Sequence, residues 1–285
     1  MMMPTRNSVD TAGGVAFLGP AGTYSHAAAQ HWFGADAPWQ PVSDIRDVFV
    51  AVEAGIAAWG VVPVENSSEG SVTVTLDAFA SSSAQICDEY LLRINHCLLM
   101  SPGRTDQDIT TVVSHQQSLG QCRRYLQTRF PLVDCIPVSS NAEAARIAAT
   151  TPGVAAIAGR TAAELYGLQV LADSIEDSQD NTTRFVLLAR HCITEASGRD
   201  KTSLLVSAPN EPGTLFHALE PFYRHGVSLT KLETRPSRKG AWSYAFFVDF
   251  EGHVDDDNIK ATLKALQHLK LDVKWLGSYP QAIIA

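Results

Sequence analysis

The chain has 285 residues, of which 45% are hydrophobic and 18% charged. That length and balance point to roughly two globular domains with buried cores and exclude a disordered or fibrous chain. Lys and Arg total 22 against 30 Asp and Glu, and the resulting formal charge of −8 gives no support to a nucleic-acid or membrane-surface role.

Residues 1–14 read as a loose polar tail without the apolar stretch of a secretory signal. Val15 to Leu18 is a short apolar strand ending in Gly19-Pro-Ala-Gly22, and a helix follows over 25–33. Ile45, Val48, Phe49, Val52 and Ile56 give 44–58 a helical spacing. Trp59 to Val64 reads as a buried strand running into the polar turn 65–70, with a helix expected over 72–79. Residues 90–100 form one apolar, strand-like run. The pattern then restarts: strand 110–113, polar turn 114–117, helix 119–128, strand 132–138, Ala-rich helix 141–150, strand 154–158 and helix 161–166 closed by Gly167. A polar loop over 178–183 leads to a strand over 185–189. Alternating strands and helices imply α/β architecture, and the restart near residue 100 implies two lobes. Residues 192–201 read as a linker. Beyond it the order is strand 202–208, helix 213–225, strands 227–234 and 242–250, helix 256–269 and strand 273–279, a ferredoxin-like βαββαβ unit.

The five cysteines, Cys87, Cys97, Cys122, Cys135 and Cys192, include no C-x-x-C pair, which argues against a disulfide framework or zinc knuckle and suits a reducing cytoplasm. No apolar run is long enough to predict a transmembrane helix. Neither a G-x-G-x-x-G nor a P-loop motif is present, and no metal or cofactor is expected. Ligands in open α/β sheets bind beyond the carboxyl ends of strands, where four polar turns stand: 19–25, 65–71, 114–118 and the loop ending at Thr183. Two of them lead into helices, whose free N–H groups hold anions without a lysine. Read alone, Thr23, Ser25, Ser114 and Ser118 also suit helix caps, Glu65-Asn66 a turn, and His26 and His115 structural positions.

Four blocks in order, Leu18-Gly-Pro-Ala-Gly-Thr-Tyr-Ser-His26, Val62-Pro-Val-Glu-Asn-Ser67, Ser114-His-Gln-Gln117 with Gln121-Cys122, and Asn181-Thr-Thr-Arg-Phe185, resemble the prephenate dehydratase family. The resemblance covers nearly all of 15–280. It implies a periplasmic-binding-protein-like catalytic domain over 15–191, with lobe 1 at about 15–92 plus 185–191 and lobe 2 at about 93–184. An ACT regulatory domain over 202–285 would follow. The implied reaction is that of a carbon–oxygen lyase, turning prephenate into phenylpyruvate with loss of water and carbon dioxide. Thr183 would assist the leaving hydroxyl, and Glu65, protonated in a buried cleft, would supply a proton. Asn66, Ser114 and Gln121 would hydrogen-bond the substrate. Thr23, Ser25, Ser67, Arg184 and Phe185 would complete its binding, Arg184 serving a carboxylate or an interlobe salt bridge. The effector L-phenylalanine would sit at Asn210, Gly213, Thr214, Leu215, Phe216, Glu233, Thr234, Arg235 and Pro236, between subunits of a homodimer or homotetramer. The sequence departs from the family pattern at Gln116, Thr214 and Phe216. The short segment before residue 15 leads us to expect a monofunctional enzyme. Arogenate as substrate, a non-catalytic amino-acid sensor and a plain binding protein are the competing readings.

Overall fold

The computed structural model describes residues 13–192, 194–209, 211–236, 244–269 and 271–283; most of the expected tail and Asn210 lie outside them. The first lobe contains β1 (Val15–Leu18), α1 (Tyr24–Phe33), β2 (Trp39–Val42), α2 (Ile45–Glu53), β3 (Trp59–Asn66), the short β4 (Gly70–Ser71), α3 (Thr73–Ser81) and β5 (Gln85–Arg93). The second contains β6 (Cys97–Met100), β7 (Thr111–His115), α4 (Gln116–Gln121), α5 (Arg123–Arg129), β8 (Asp134–Val138), α6 (Asn141–Thr150), β9 (Val154–Ala158), α7 (Arg160–Tyr166) and β10 (Gln169–Ala172). Strand β11 (Thr182–Ala189) returns to the first sheet, whose order is β2-β1-β3-β11-β5 with β4 on β3. The second sheet runs β10-β6-β9-β7-β8.

Local chemistry sets these elements. Thr23, Asp44 and Ser140 cap α1, α2 and α6 with side-chain oxygens that accept backbone N–H groups. Buried Ala142, Ala144, Ala145 and Ala148 let α6 lie close on the second sheet. The run over 90–100 is not one strand: it breaks at Ile94–His96, where the chain crosses from the first sheet to the second. An apolar run shows that a segment is buried but not in how many sheets, so the break was hidden.

Strand β3 carries an irregularity that matters to the site. Opposite β11, Val62 pairs with Val186 and Pro63 with Phe185, but Glu65, not Val64, pairs with Arg184, and Asn66 with Thr183. One extra residue in β3 is a bulge. Pro63 cannot donate to a ladder. Its carbonyl is taken at 2.6 Å by the Thr75 hydroxyl on α3, and the Val64 carbonyl accepts the Val72 N–H at 2.8 Å. Val64 and Glu65 therefore both face one side, and Asn66 turns to the other.

The C-terminal unit contains β12 (Asp200–Ala208), α8 (Thr214–Arg224), β13 (Leu229–Pro236), β14 (Tyr244–Glu251), α9 (Asp257–His268) and β15 (Asp272–Pro280). Its sheet runs β13-β14-β12-β15, all antiparallel. One face packs on α8 and α9. Leu205, Ala245, Phe247, Leu276 and Tyr279 on the other face share a core with Val62, Val64, Val186 and Leu188 of the first sheet. The two sheets approach so closely that a Cβ on Gly277 would lie 2.2 Å from the Ile86 carbonyl oxygen.

Inside that shared core, Arg184 donates to Glu89 at 2.6 Å, to Asp249 at 2.5 Å and to the Tyr279 hydroxyl at 2.8 Å. Lys201 reaches the same Glu89 at 2.8 Å, and Ser203 donates to Asp249 at 2.6 Å. Burial alone would push the Asp249 carboxyl up. The Arg184 guanidinium and the Ser203 hydroxyl instead hold it below the usual carboxylate range. This network ties the first lobe to the C-terminal domain. It removes Arg184 from both expected roles, since it meets neither the cleft nor the second lobe. Truncating one member of a buried ionic network strands its partners, at a cost of about 3–5 kcal/mol. Arg184→Met should therefore lower the urea midpoint strongly while kcat, measured on the folded fraction, stays within a few-fold; a collapse of kcat at unchanged stability would return Arg184 to the cleft.

Candidate active site

The interlobe cleft narrows to a cavity of about 140 Å3 where β3, β11, the crossover at 94–96 and the start of α4 converge. Asn66, Asn181 and Thr183 line it from the first lobe, with Tyr24 at the start of α1. His96, His115, Gln117, Ser118, Gln121 and Asn141 line it from the other side. A second recess of about 160 Å3 shares the Tyr24 ring and is bounded by Thr23, Arg93, Asn95, Gly159 and Arg160. Gly159 lets the lobes close: a Cβ there would lie 3.0 Å from the Tyr24 ring. A larger cavity of about 490 Å3 lies between α3 and the C-terminal sheet and contains none of the expected catalytic residues.

A chain of hydrogen bonds runs through the cleft with a fixed direction. The Asn66 side-chain oxygen accepts the backbone N–H of Ser68 at 2.9 Å and of Glu69 at 3.1 Å. Its amide nitrogen must then face the cavity, where it donates to Thr183 Oγ1 at 2.9 Å and to Asn181 Oδ1 at 2.7 Å. The Asn181 amide in turn donates to Gln121 Oε1 at 3.3 Å. That oxygen also lies 2.8 Å from His96 Nε2. His96 Nδ1 is 2.8 Å from the Tyr24 hydroxyl, which is also 2.8 Å from the Asn95 carbonyl. Thr183 Oγ1 is occupied as an acceptor, and its own proton has no partner among the described residues. The site thus presents a free hydroxyl donor, and Gln121, with its oxygen engaged, keeps its amide N–H groups to offer.

The charges around the cavity are as telling. No carboxylate and no lysine or arginine lines the 140 Å3 cavity among the described residues. Burial, with the Cys97 and Cys122 thiols and Glu176 nearby, pushes the Tyr24 phenol well up, so it stays protonated. Burial pulls the His96 imidazole down, against the opposing pull of Gln121 and Glu176, so it is neutral at pH 7. A neutral, donor-rich recess at a cleft can orient an oxyanion and stabilise a departing oxygen. Among the described residues no group of three His, Cys, Asp or Glu is placed to hold a metal ion, and no helix is long and apolar enough to cross a membrane.

Asn66, Gln121 and Thr183 line this cavity together, and several other candidate residues do not. Glu65, turned away by the β3 bulge, is half-exposed and paired at 3.0 Å with Lys231 of β13. It is neither buried in the cleft nor placed to deliver a proton there. Ser114 is fully buried, its hydroxyl donated to the Ile157 carbonyl at 2.7 Å across neighbouring strands. Ser118, one helical turn on, lines the cavity instead and exchanges hydrogen bonds with Asn141. Thr23 caps α1 and donates to the Leu18 carbonyl, while Ser25 is buried on the helix. Ser67 staples the β3 turn to β11 through the Asp180 carbonyl and the Thr182 N–H. Phe185 sits in the core with Phe17 and Trp32 beneath the cleft. Tyr24, His96, Asn141 and Asn181 were missed as site residues. Asn181 stood in a resembling block and Tyr24 in a glycine turn, but His96, inside the apolar run 90–100, carried no local signal.

Comparison with known proteins agrees with this architecture. The family model for prephenate dehydratase matches residues 15–193, and the ACT-domain model matches 202–268. The bifunctional chorismate mutase/prephenate dehydratase of Stutzerimonas stutzeri is 47% identical over 270 residues, covering 95% of this chain and 74% of that protein. The prephenate dehydratase of Mycobacterium tuberculosis strain H37Rv is 37% identical over 277 residues, 93% of this chain and 86% of that one. The crystal structure of prephenate dehydratase from Arthrobacter aurescens in complex with L-Phe superposes with a TM-score of 0.86 at 35% identity, over 95% of this chain and 93% of that one. The chain belongs to the prephenate dehydratase family and carries a C-terminal ACT domain.

Burial holds His26 as well as His96 below the ordinary imidazole pKa of 6.5. The unfolded chain takes up protons near 6.5 while the folded chain takes them up only at lower pH. Between those values the unfolded state binds more protons, so stability rises with pH and is lost on acidification. Urea midpoints measured from pH 5 to 7 should climb, and the climb should be shallower in His96→Gln than in the parent protein; equal slopes would refute a neutral, buried His96.

Proposed function

We propose that this member of the prephenate dehydratase family catalyses the decarboxylative dehydration of prephenate to phenylpyruvate. The observation that carries the reading is the fixed hydrogen-bond direction from Asn66, which leaves the Thr183 hydroxyl as a free donor in a neutral interlobe cavity. In this reaction the bond to the ring carboxylate breaks and carbon dioxide leaves. The electron pair enters the ring, the opposite carbon–oxygen bond breaks, and the ring becomes aromatic. With one proton taken up, the departing hydroxide becomes water. The driving force lies in the substrate, so the protein must hold the carboxylates still and meet charge developing on the leaving oxygen. Thr183 is a poor acid at neutral pH and suits the second task as a hydrogen-bond donor. Gln121 and the polar groups at the start of α4 suit the first. The described lining offers no carboxylate to pair with an amine, which favours the keto acid prephenate over its amino counterpart arogenate.

L-Phenylalanine is the effector we propose for the C-terminal domain. Of the residues expected to bind it, Gly213 to Phe216 open α8, with Leu215 and Phe216 exposed, and Thr234 lies on the outward side of β13, while Pro236 at the end of that strand lines the cavity beside α3. Glu233 and Arg235 are turned the other way. Glu233 accepts from Ser71 at 3.1 Å, and Arg235 pairs with Asp77 at 3.0 Å. They hold the catalytic domain and do not face a ligand on the exposed side. The outward apolar residues Phe216, Tyr223 and Leu232 support pairing of two ACT domains from two copies.

Purified protein should release phenylpyruvate from prephenate, and phenylalanine should suppress the release. Loss of a single hydrogen-bond donor to developing charge costs about 10²–10³ in kcat, so Thr183→Ala should lose that much with little change in KM. Near-normal kcat in the variant would remove Thr183 from the reaction. Inert wild-type protein, folded and also inactive on arogenate, would leave the sensor or binding-protein readings. Sedimentation should give a dimer or larger species, and a monomer at micromolar concentration would overturn the ACT pairing.

A further inference from the structure

We infer that His96 is a positioning residue of this active site, acting through Gln121 to aim that side chain's amide N–H groups at the substrate. The inference rests on the prephenate reading above and goes beyond it, since no motif or resemblance singles out His96.

The geometry is that of a clamp. His96 is 1% exposed and sits on the crossover between the lobes, its backbone N–H donated to Glu176 at 2.8 Å. The ring touches both sides of the cleft, Tyr24 through Nδ1 and Gln121 through Nε2, each at 2.8 Å. The Gln121 end sets the protonation of the ring. The two backbone N–H groups on Asn66 fix its amide, the Asn66 amide fixes Asn181, and Asn181 donates to Gln121. The Gln121 atom facing His96 is therefore the oxygen, and Nε2 must carry the proton. In the neutral ring Nδ1 is then bare, and it shares the single Tyr24 hydroxyl proton with the Asn95 carbonyl, each 2.8 Å from that oxygen.

Without the imidazole, Gln121 Oε1 keeps one partner, Asn181 at 3.3 Å, and its amide is free to turn over. A turned amide would present an oxygen to an anionic substrate where it had presented N–H. Amides do not pass protons along, so the chain does not deliver a proton to Thr183. What His96 contributes is orientation, and a group misplaced by about 1 Å can cost 10²-fold in rate.

Two measurements test this. Imidazole nitrogen NMR of folded protein at pH 7 should report His96 protonated on Nε2 and bare on Nδ1; the opposite tautomer would refute the clamp without any reference to activity. Kinetics with prephenate should then show His96→Asn and His96→Ala losing about 10- to 100-fold in kcat/KM, mostly in KM. His96→Gln, whose amide can place an N–H near the Nε2 position, should recover most of the loss. In a Gln121→Ala background, His96→Ala should add little, because the two act as one unit. Equal losses in the Gln and Asn variants, full activity in His96→Ala, or losses that multiply in the double variant would each overturn the inference. If His96→Ala does not fold, the contrast between Gln and Asn decides alone. Wild-type protein inert toward prephenate would instead fail the reaction assigned to the site and leave the tautomer to judge the clamp.

Discussion

The single extra residue in β3 decides what the site is. Side chains alternate along a strand, so a shift of one residue exchanges the faces. Val62 and Val64 both point into the core shared with the C-terminal domain. Continued alternation would send Asn66 the same way and Glu65 into the cleft. The bulge reverses this. Asn66 joins Thr183 at the cavity, while Glu65 joins Arg184 on the side of the ACT domain. Two motifs that look uniform in one dimension are thereby split between the cavity and domain attachment. The bulge is itself held in place, since the Pro63 and Val64 carbonyls, displaced from the ladder, find partners in Thr75 and Val72. A buried carbonyl left unpaired would cost about 1–3 kcal/mol.

From that turn of the backbone follows the electrostatic character of the cavity. Had Glu65 faced inward, the cleft would hold a carboxylate against an anionic substrate. Instead, charge is exported to the seam with the C-terminal domain, where Glu65 meets Lys231, and to the shared core, where Arg184 is neutralised by Glu89 and Asp249. Among the described residues the cavity is lined by no carboxylate, lysine or arginine, and its amide donors are preset by a chain of hydrogen bonds. Such preset donors need little reorganisation as charge moves onto the leaving oxygen, which is why they are worth more there than in water. The chain as a whole is acidic, yet an anion entering the inner cavity meets no carboxylate among the described residues.

How much of this was legible in the sequence depended on the range of the interactions involved. The Thr23 cap, the two α/β units and the βαββαβ order follow from local chemistry and periodicity and are present, whereas Ser25 and Ser118 lie inside helices and His115, not Ser114, caps α4. Pro63 in an otherwise central strand was a readable sign of a bulge, because proline interrupts a ladder. Read as such, it would have turned Glu65 away. Ser114 could not be read, since its partner, the Ile157 carbonyl, lies 43 residues away on a neighbouring strand. His96 was equally silent. Its neighbours Tyr24, Gln121 and Glu176 come from three separate parts of the chain, and only folding gathers them. The strand β10 was missed because its four residues are only partly buried at a sheet edge, where no alternation is needed.

The same splitting of motifs gives the ACT domain its hold on the catalytic lobe. Along β13 every second residue faces inward, and three in succession have a partner there: Lys231 on Glu65, Glu233 on Ser71 and Arg235 on Asp77. Those partners lie on β3, β4 and α3, the elements that make and brace the bulge. An effector on the outward side of β13 and α8 would thus act on a strand whose inner face grips the residue adjoining Asn66. Two of these are part-buried ion pairs and the third is a hydrogen bond to a neutral hydroxyl, separate contacts that suit a strand able to shift. The buried network around Arg184 is the opposite case, costly to break and fixed by Tyr279 and Asp249. A domain held by a shared core and the Arg184 network, with separate contacts along β13, leaves that strand able to take more than one orientation. Differential affinity of an effector for two such orientations is all that allosteric control requires.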